Sequence, residues 1–186
     1  MSAFATIAWY SVLWASFGIG SGWLVNRVPP SALDHDTFLT RLRPFERRGF
    51  WYDRHLRVRV WKDRLPEAGA MFRGGASKAT LPGFGPAQLG AFVIETRRAE
   101  YVHWANAVFG LTFVPWSPWT VSVVMIAFGL VVHLPFVIVQ RYNRARLRYV
   151  LSRSTASSTT RTIADRGTID PSPAALPRRS WRAVHR

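Results

Sequence analysis

The sequence predicts an all-α membrane protein with about three transmembrane helices, an interfacial segment rich in basic and aromatic residues, and a disordered C-terminal tail. Residues 1–26 and 101–140 contain no Lys, Arg, Asp or Glu, whereas all 25 Lys and Arg lie in residues 27–98 (14) or 141–186 (11). A soluble fold needs charge on every exposed face, so this segregation favours a protein that crosses a bilayer.

The first uncharged stretch predicts a transmembrane helix over residues 3–26. At about 1.5 Å per residue it is long enough to cross a hydrocarbon core of roughly 30 Å. It lacks the positive leading region of a secretory signal, so we expect the helix to be retained. Pro29 and Pro30 follow it and cannot continue a helix.

Residues 27–90 are predicted to lie at the cytoplasmic interface, because arginines and aromatic rings are interleaved there. Two interpretations of its central part stay open. Residues 56–60 alternate between apolar and basic side chains, as in a strand. Four apolar side chains also fit one face of a helix, namely Trp51, Val58, Trp61 and Leu65. Residues 68–86 are rich in Gly and Pro and predict a loop.

Residues 87–148 predict a helical hairpin that turns at Pro115–Pro118, where two Trp rings flank the bend. The outer segments contain no Lys or Arg, so the positive-inside rule predicts an N-terminus outside the cell membrane and a cytoplasmic tail. The domain prediction is a membrane domain over residues 1–150 and a disordered basic tail over residues 151–186.

Composition and motifs exclude several classes of function. The net charge of +15 is compatible with nucleic-acid binding, but the basic residues flank uncharged runs, which favours anionic lipid headgroups as partners and no nucleic acid. The chain has no cysteine, which excludes a cysteinyl acyl-enzyme. The five histidines show no metal-binding spacing, and no nucleotide or dinucleotide fingerprint is present, so we expect no metal and no cofactor.

The predicted hairpin brings two polar clusters, residues 95–104 and 140–147, to the same membrane depth. Glu100 and His103 are i, i+3 neighbours on a helix, so a carboxylate can orient an imidazole that acts as general base on a hydroxyl. We therefore predict His103 and Glu100 as catalytic. The same spacing also makes ordinary helix salt bridges, such as Arg97 with Glu100, and that interpretation stays open.

Further polar residues of the two clusters are predicted to bind substrate. Arginines can hold a phosphate, a carboxylate or a developing oxyanion, and ionisable groups near a bilayer are functional candidates. The predicted residues are Glu95, Arg97, Arg98, His133, Gln140, Arg141, Asn143 and Arg144.

Three blocks of sequence carry a resemblance to a known family. They are residues 45–67, with Phe45-Glu46 and the run from Trp61 to Glu67; residues 94–104; and residues 135–147. With these blocks the chain resembles the glycosyl-4,4'-diaponeurosporenoate acyltransferase family, the membrane enzymes of the last step in staphyloxanthin-type carotenoid synthesis. Trp61 and Lys62 of the first block join the predicted substrate-binding set.

The resemblance implies transfer of a fatty acyl group to a sugar hydroxyl of a glycosylated polyisoprenoid or carotenoid-like lipid. The implied partners are an acyl donor and a glycolipid acceptor. One departure is His133-Leu134-Pro135, where the family often has Asn in the first position, so a glycolipid unrelated to carotenoids is an alternative acceptor. The alternative function is a non-catalytic membrane scaffold or a lipid-binding subunit of a lipid-synthesis complex.

Overall fold

The computed structural model describes residues 2–66 and 85–167. Every regular secondary-structure element in these residues is a helix, which confirms the predicted all-α class. The helices are α1 (Ala3–Asn26), α2 (Phe50–Leu56), α3 (Val58–Trp61), α4 (Pro86–Phe109) and α5 (Trp119–Gly167). Short 3-10 helices lie at Pro30–Ala32, Pro44–Gly49, Lys62–Arg64 and Gly110–Phe113. The loop predicted over residues 68–86 lies almost wholly outside the described residues, as does the tail beyond residue 167.

The two units of the chain are Met1–Ser152 and Arg153–Arg186, and the first contains the candidate site. In it, α1 runs antiparallel to α4. Near one end of the helices, the Tyr10 and Ser117 hydroxyls are 3.3 Å apart. Near the other end, Arg98 donates from Nη1 to the carbonyl of Val25 at 2.6 Å.

Helices α4 and α5 form the predicted hairpin, because α5 begins directly after Pro115–Pro118. Two glycines allow their backbones to approach closely. A Cβ at Gly110 would lie 2.5 Å from the carbonyl oxygen of Met125, and one at Gly129 would lie 2.7 Å from that of Ala107. This contact fixes the register of the hairpin, and thereby decides which polar side chains meet further along the helices.

Helix α5 is longer than predicted. It continues to Gly167, so residues 151–167 are helical in the structure rather than disordered as predicted. Between residues 152 and 166 no Gly or Pro interrupts the chain, so nothing local ends the helix before Gly167. Low apolar content, on which the prediction rested, argues against a packed core but does not by itself exclude a helix.

The strand interpretation of residues 56–60 is wrong, since α2 and α3 cover this segment. Arg57 separates the two helices in a left-handed conformation, with φ 48°. The helical interpretation is closer to the structure. Tyr52, Val58, Val139 and Tyr142 form a buried cluster, and Trp51, Trp61 and Leu65 pack against it.

Among the described residues, one helical stretch, Trp119–Ser154, is long and apolar enough to cross a membrane. Helix α1 carries no charged residue, and only the second half of α4 is apolar. Large apolar side chains remain exposed on the outer surfaces of α1 and α5, including Ile7, Val12, Ile19, Val123, Phe128 and Val131. Such a surface fits contact with lipid hydrocarbon.

Candidate active site

A buried ionic cluster joins α4, α5 and the segment before α2. We define it as Glu46, Glu100, Arg141 and Arg144. The Glu100 carboxylate is fully buried. Its Oε1 accepts from Arg141 Nη1 at 2.7 Å, and its Oε2 lies 2.5 Å from Arg144 Nη2, which is equally buried. Because an unpaired charge in such surroundings is very costly, these contacts hold α4 and α5 in one register.

Arg141 is bound entirely by the protein. A guanidinium has five N–H donors, and the bonds of Arg141 are two to Glu46, one to Glu100, and one each to the carbonyls of Leu39 and Arg41. No donor is left for a substrate. Three residues of the segment that precedes α2 are bound in this way, namely Leu39, Arg41 and Glu46.

Glu46 is the second carboxylate of the cluster, and it accepts four hydrogen bonds from three residues. Arg141 contributes two bonds, at 2.7 and 2.6 Å, and the Tyr52 hydroxyl and the backbone N–H of Arg43 contribute the others. Burial alone would raise the pKa of Glu46, but hydrogen bonds from Arg141 and Tyr52 hold that pKa below its ordinary value. Burial and the bond to Glu46 raise the pKa of Tyr52.

Another carboxylate, that of Asp36, lies outside the ionic cluster and links α4 to α5. Arg97 binds it at 2.9 Å and Arg148 binds it through two bonds of 2.8 Å. Burial opposes ionisation, yet hydrogen bonds from Arg148 and Arg97 hold the pKa of Asp36 below its ordinary value. Arg97 also donates to the carbonyl of Leu33 at 2.7 Å, so it too is held by the protein.

His103 and His133 meet about one turn from Glu100 along α4 and about two turns from Arg141 along α5, and we call them the histidine pair. Their Nδ1 atoms are 3.3 Å apart, so one ring donates a hydrogen bond and the other accepts it. When both rings are neutral, the donor ring presents a basic Nε2 and the acceptor ring presents an Nε2–H. Because the rings meet through Nδ1, with centroids 5.6 Å apart, each Nε2 lies on the far side of its ring from the contact. The His103 ring stacks on Phe136, with centroids 4.6 Å apart, and both histidines are half-buried.

The site thus differs from the predicted one in the direction of the Glu100 carboxylate, which faces arginines of α5. His133, predicted as a substrate-binding residue, lies against His103 instead. The sequence places Glu100 and His103 on one helix, but it does not give the register of α5 against that helix. The register set by Gly110 and Gly129 brings Arg141 and Arg144 to Glu100. It also brings His133 to His103.

The remaining residues of the two polar clusters that were predicted to bind substrate lie on α4 and α5. Arg98 pairs with Glu95 at 3.2 Å and caps the end of α1. Gln140 is buried, and its Oε1 has no hydrogen-bond partner among the described residues. The same holds for Nε and Nη1 of Arg144. Asn143 is half-buried on α5.

Trp61 and Lys62 lie outside the ionic cluster. Trp61 donates from Nε1 to the carbonyl of Leu56 at 2.8 Å and packs in the apolar cluster around Tyr52. Lys62 pairs with its neighbour Asp63 at 2.6 Å. Within residues 2–66 and 85–167, no group of three or more His, Asp or Glu is arranged to hold a metal ion.

Asp36 and Glu46 are the functional neighbours that sequence reasoning missed. One sequence signal could have pointed to them. Buried arginines require carboxylate partners, and the chain has only ten Asp and Glu that could supply these partners. Their positions could not follow from helical periodicity, since both lie in the irregular segment between α1 and α2.

The profile of the glycosyl-4,4'-diaponeurosporenoate acyltransferase family matches residues 35–153, well over half of the chain. The chain belongs to this family. The match includes every member of the ionic cluster and the histidine pair, and it confirms both the predicted resemblance and the prediction that the protein is an acyltransferase.

Individual relatives agree with the family match. A glycosyl-4,4'-diaponeurosporenoate acyltransferase of Staphylococcus haemolyticus (strain JCSC1435) is 27% identical over 141 residues, covering 75% of this chain and 81% of its own. Those of Staphylococcus aureus strains bovine RF122 / ET3-1 and MRSA252 are 26% identical over 141 residues, covering 76% of this chain and 85% of theirs. No solved structure matches the chain.

Proposed function

We propose that this acyltransferase moves a fatty acyl group to a sugar hydroxyl of a glycosylated carotenoid-like lipid, and that the histidine pair carries the proton transfer. The relatives are named for glycosyl-4,4'-diaponeurosporenoate, which supports an acceptor of this class. The observation that carries the proposal is the 3.3 Å contact between His103 and His133. In this contact one ring donates from Nδ1 and keeps a basic Nε2.

The proposed reaction needs one proton to move twice. Nε2 of the donor ring takes the proton of the sugar hydroxyl as its oxygen bonds to the acyl carbon. The other ring accepts the Nδ1–H of the base, so it orients that ring and stabilises the positive charge the ring gains with the proton. When the bond to the donor's leaving group breaks, the proton passes to that group. No covalent acyl-enzyme is required.

The depth of the histidine pair suits a reaction between lipid-soluble chains and a polar sugar. His133 lies eight residues before Arg141 on α5, which corresponds to about 12 Å along the helix. The pair is therefore on the membrane side of the ionic cluster. The His133 ring stacks on Trp14 of α1, with centroids 6.2 Å apart, and the outer surfaces of α1 and α5 are apolar, so an acyl chain can approach along them.

The ionic cluster has a different proposed role. Glu100 is fully buried, and Arg141 has no free donor, so neither is available to a bound substrate. We assign them as positioning residues that hold α4 against α5 and keep His103 beside His133. The predicted catalytic role of Glu100 is revised accordingly.

The proposed topology has three membrane spans, which are formed by α1, α4 and α5. The N-terminus lies outside, the tail lies in the cytoplasm, and residues 1–150 form the membrane domain. The turn at Pro115–Pro118 faces outside, about 33 Å along α5 from Arg141. Arginines at the opposite end would contact anionic headgroups.

The test is acyl transfer by purified protein in lipid nanodiscs, with a radiolabelled acyl donor and a glycosylated carotenoid acid. His103→Ala should lower the rate of product formation by about 100-fold or more, the usual contribution of a general base. His35→Ala is the matched control, because His35 is an exposed histidine beside Asp34 and away from the pair.

Three outcomes are informative. Loss of activity in His103→Ala with normal activity in His35→Ala supports the proposal. Full activity in His103→Ala removes the histidine pair from the mechanism. Wild-type protein that binds the glycolipid but transfers no acyl group from thioester or ester donors would contradict the proposed reaction.

A further inference from the structure

A basic pocket lies beyond the ionic cluster, on the side away from the histidine pair. Its volume is about 620 Å³, in the range of small-molecule sites. Four arginines line it, Arg41, Arg47 and Arg48 from the segment before α2 and Arg148 from α5. Asp36 is the one carboxylate among the lining residues. The pocket therefore has the charge and size of a site for a multiply charged anion.

The positive charge of this pocket is only partly neutralised by the protein. Asp36 is shared between Arg148 and Arg97, which leaves one carboxylate for two arginines. Within the described ranges, neither Arg41 nor Arg47 forms an ion pair. The Arg48 guanidinium lies over the ring of Tyr149, 5.5 Å from its centroid. Three arginine side chains are thus held near one another without a carboxylate of their own.

The backbone of the pocket wall is locally strained. Arg48 has a φ of 66°, in the left-handed region that side chains other than glycine rarely adopt. The next residue, Gly49, has a φ of 75°, and a Cβ there would lie 2.9 Å from Arg146. This tight turn directs Arg47 and Arg48 to the same pocket. Strain of this kind is concentrated at functional sites.

We propose that the basic pocket binds the phosphate groups of the acyl donor, and that the donor is a thioester of the coenzyme A type. This inference rests on the proposed function, because it names the second substrate of the same reaction. Guanidinium groups bind phosphate oxygens through paired N–H donors. The diphosphate and the ribose phosphate of coenzyme A together match an open group of four arginines better than a single phosphate does.

The distance between the pocket and the histidine pair selects this donor. Fifteen residues of α5 separate His133 from Arg148, which corresponds to about 22 Å. In a phospholipid only a glycerol unit lies between the phosphate and the acyl ester, so a phosphate held in the pocket would keep the ester far from the histidines. In coenzyme A thioesters the long pantetheine arm lies between the phosphates and the sulfur, so both sites can be occupied at once.

The transfer from such a donor balances without a further reactant. The sugar oxygen forms an ester bond to the acyl carbon, and the carbon–sulfur bond of the thioester breaks. The proton that leaves the hydroxyl is carried by the histidine pair to the departing thiolate. The products are the acylated glycolipid and the free thiol.

Binding can be tested independently of activity with adenosine 3',5'-bisphosphate, which carries phosphates of coenzyme A but no thioester. Isothermal titration with detergent-solubilised protein should show binding that weakens as salt is raised. The double variant Arg41→Ala/Arg47→Ala should weaken it at least tenfold. Arg54→Ala/Arg64→Ala is the matched control, since it removes the same charge from exposed positions outside the pocket and should bind as wild type does.

Activity with three donors then separates the possible sources of the acyl group. The same acyl group is supplied as a coenzyme A thioester, as a pantetheine thioester without phosphate, and as a phospholipid in vesicles. We expect the pocket variant to raise the KM for the coenzyme A thioester at least tenfold with little change in kcat. Its KM for the pantetheine thioester should equal that of wild type.

The outcomes distinguish this inference from the proposed function. Acyl transfer from phospholipid but not from the coenzyme A thioester would overturn the donor assignment and leave the acyltransferase intact. No binding of the bisphosphate, or equal loss in both double variants, would also overturn it. Binding of the bisphosphate that depends on Arg41 and Arg47, without any transfer by wild type, would support the pocket and count against the proposed function.

Discussion

The ionic cluster and the histidine pair both join α4 to α5, about one turn apart along α4 and two turns apart along α5, yet they differ in the kind of contact they make. In the cluster, Arg141 uses all five donors within the protein and Glu100 is fully buried. In the pair, the two Nδ1 atoms bind each other and the rings remain half-buried. Strong charge therefore marks the structural contact, and the proposed chemistry lies in the contact between the two histidines.

This contrast reverses the emphasis that the sequence alone suggests. Ionisable residues near a bilayer are functional candidates by default, and the arginines of residues 141–148 are the most prominent of them. Their contacts assign most of them to holding Asp36, Glu46 and Glu100 in place. Removing a cluster residue and removing a histidine should consequently affect different properties.

The largest expected effect is on stability, from Glu100→Ala. Arg144 and Arg141 would lose their shared carboxylate while remaining buried, which should lower the free energy of unfolding by about 3–5 kcal/mol. Denaturant unfolding in detergent, followed by tryptophan fluorescence, measures this. His133→Ala is the comparison and should lower it by no more than about 1 kcal/mol. Equal stability of Glu100→Ala and wild type would refute the structural role of the cluster.

An intermediate effect is expected where the two helix backbones touch. Gly129→Ala would place a Cβ 2.7 Å from the carbonyl oxygen of Ala107, so α5 must shift. Overpacking of this kind costs about 1–3 kcal/mol. His133 lies one turn further along α5, and a displacement near 1 Å can reduce a rate about 100-fold.

The matched control for that variant is Gly20→Ala. A Cβ at Gly20 meets nothing within 4 Å, so this substitution should be neutral or slightly stabilising. Unfolding and acyl-transfer rates are compared for the two variants. If Gly129→Ala matches Gly20→Ala in both, the close approach of α4 and α5 does not set the position of the histidines.

The smallest effect is the pH dependence of stability contributed by the outer carboxylates. The pKa values of Glu46 and Asp36 are held below their ordinary values of 4.5 and 3.8. Their stabilising contribution is complete above those ordinary values and is lost as pH falls through the lower folded-state pKa values. Thermal unfolding midpoints between about pH 6 and about pH 3 should therefore fall at the acid end. The decrease should be smaller in Glu46→Gln, and an identical curve would exclude Glu46 as a source.

The fold was largely predictable because charge segregation reports directly on helices and turns. The uncharged stretches became α1 and the apolar part of α5, and Pro115–Pro118 became the turn of the hairpin. Local conformations that depend on tertiary contacts were not predictable. Residues 56–60 alternate as in a strand, but the left-handed conformation of Arg57 separates two short helices there.

The candidate site was predictable in composition but not in pairing. His103, His133, Glu100, Arg141 and Arg144 were all named from the sequence, whereas Arg148, which binds Asp36, was not. Their partners depend on the register of α4 against α5, which two backbone contacts at Gly110 and Gly129 decide. The contribution of Asp36 and Glu46 depends on a segment with neither helical nor strand periodicity, so no sequence pattern could assign it.

The most direct test of the account is a double-mutant cycle of acyl transfer on His103 and His133. If the two rings act as one proton-transfer unit, His103→Ala and His133→Ala should each reduce the rate strongly. The double variant should then be no slower than the slower single variant. Losses that multiply in the double variant, or wild-type activity in either single variant, would contradict the claim that the histidine pair performs the chemistry.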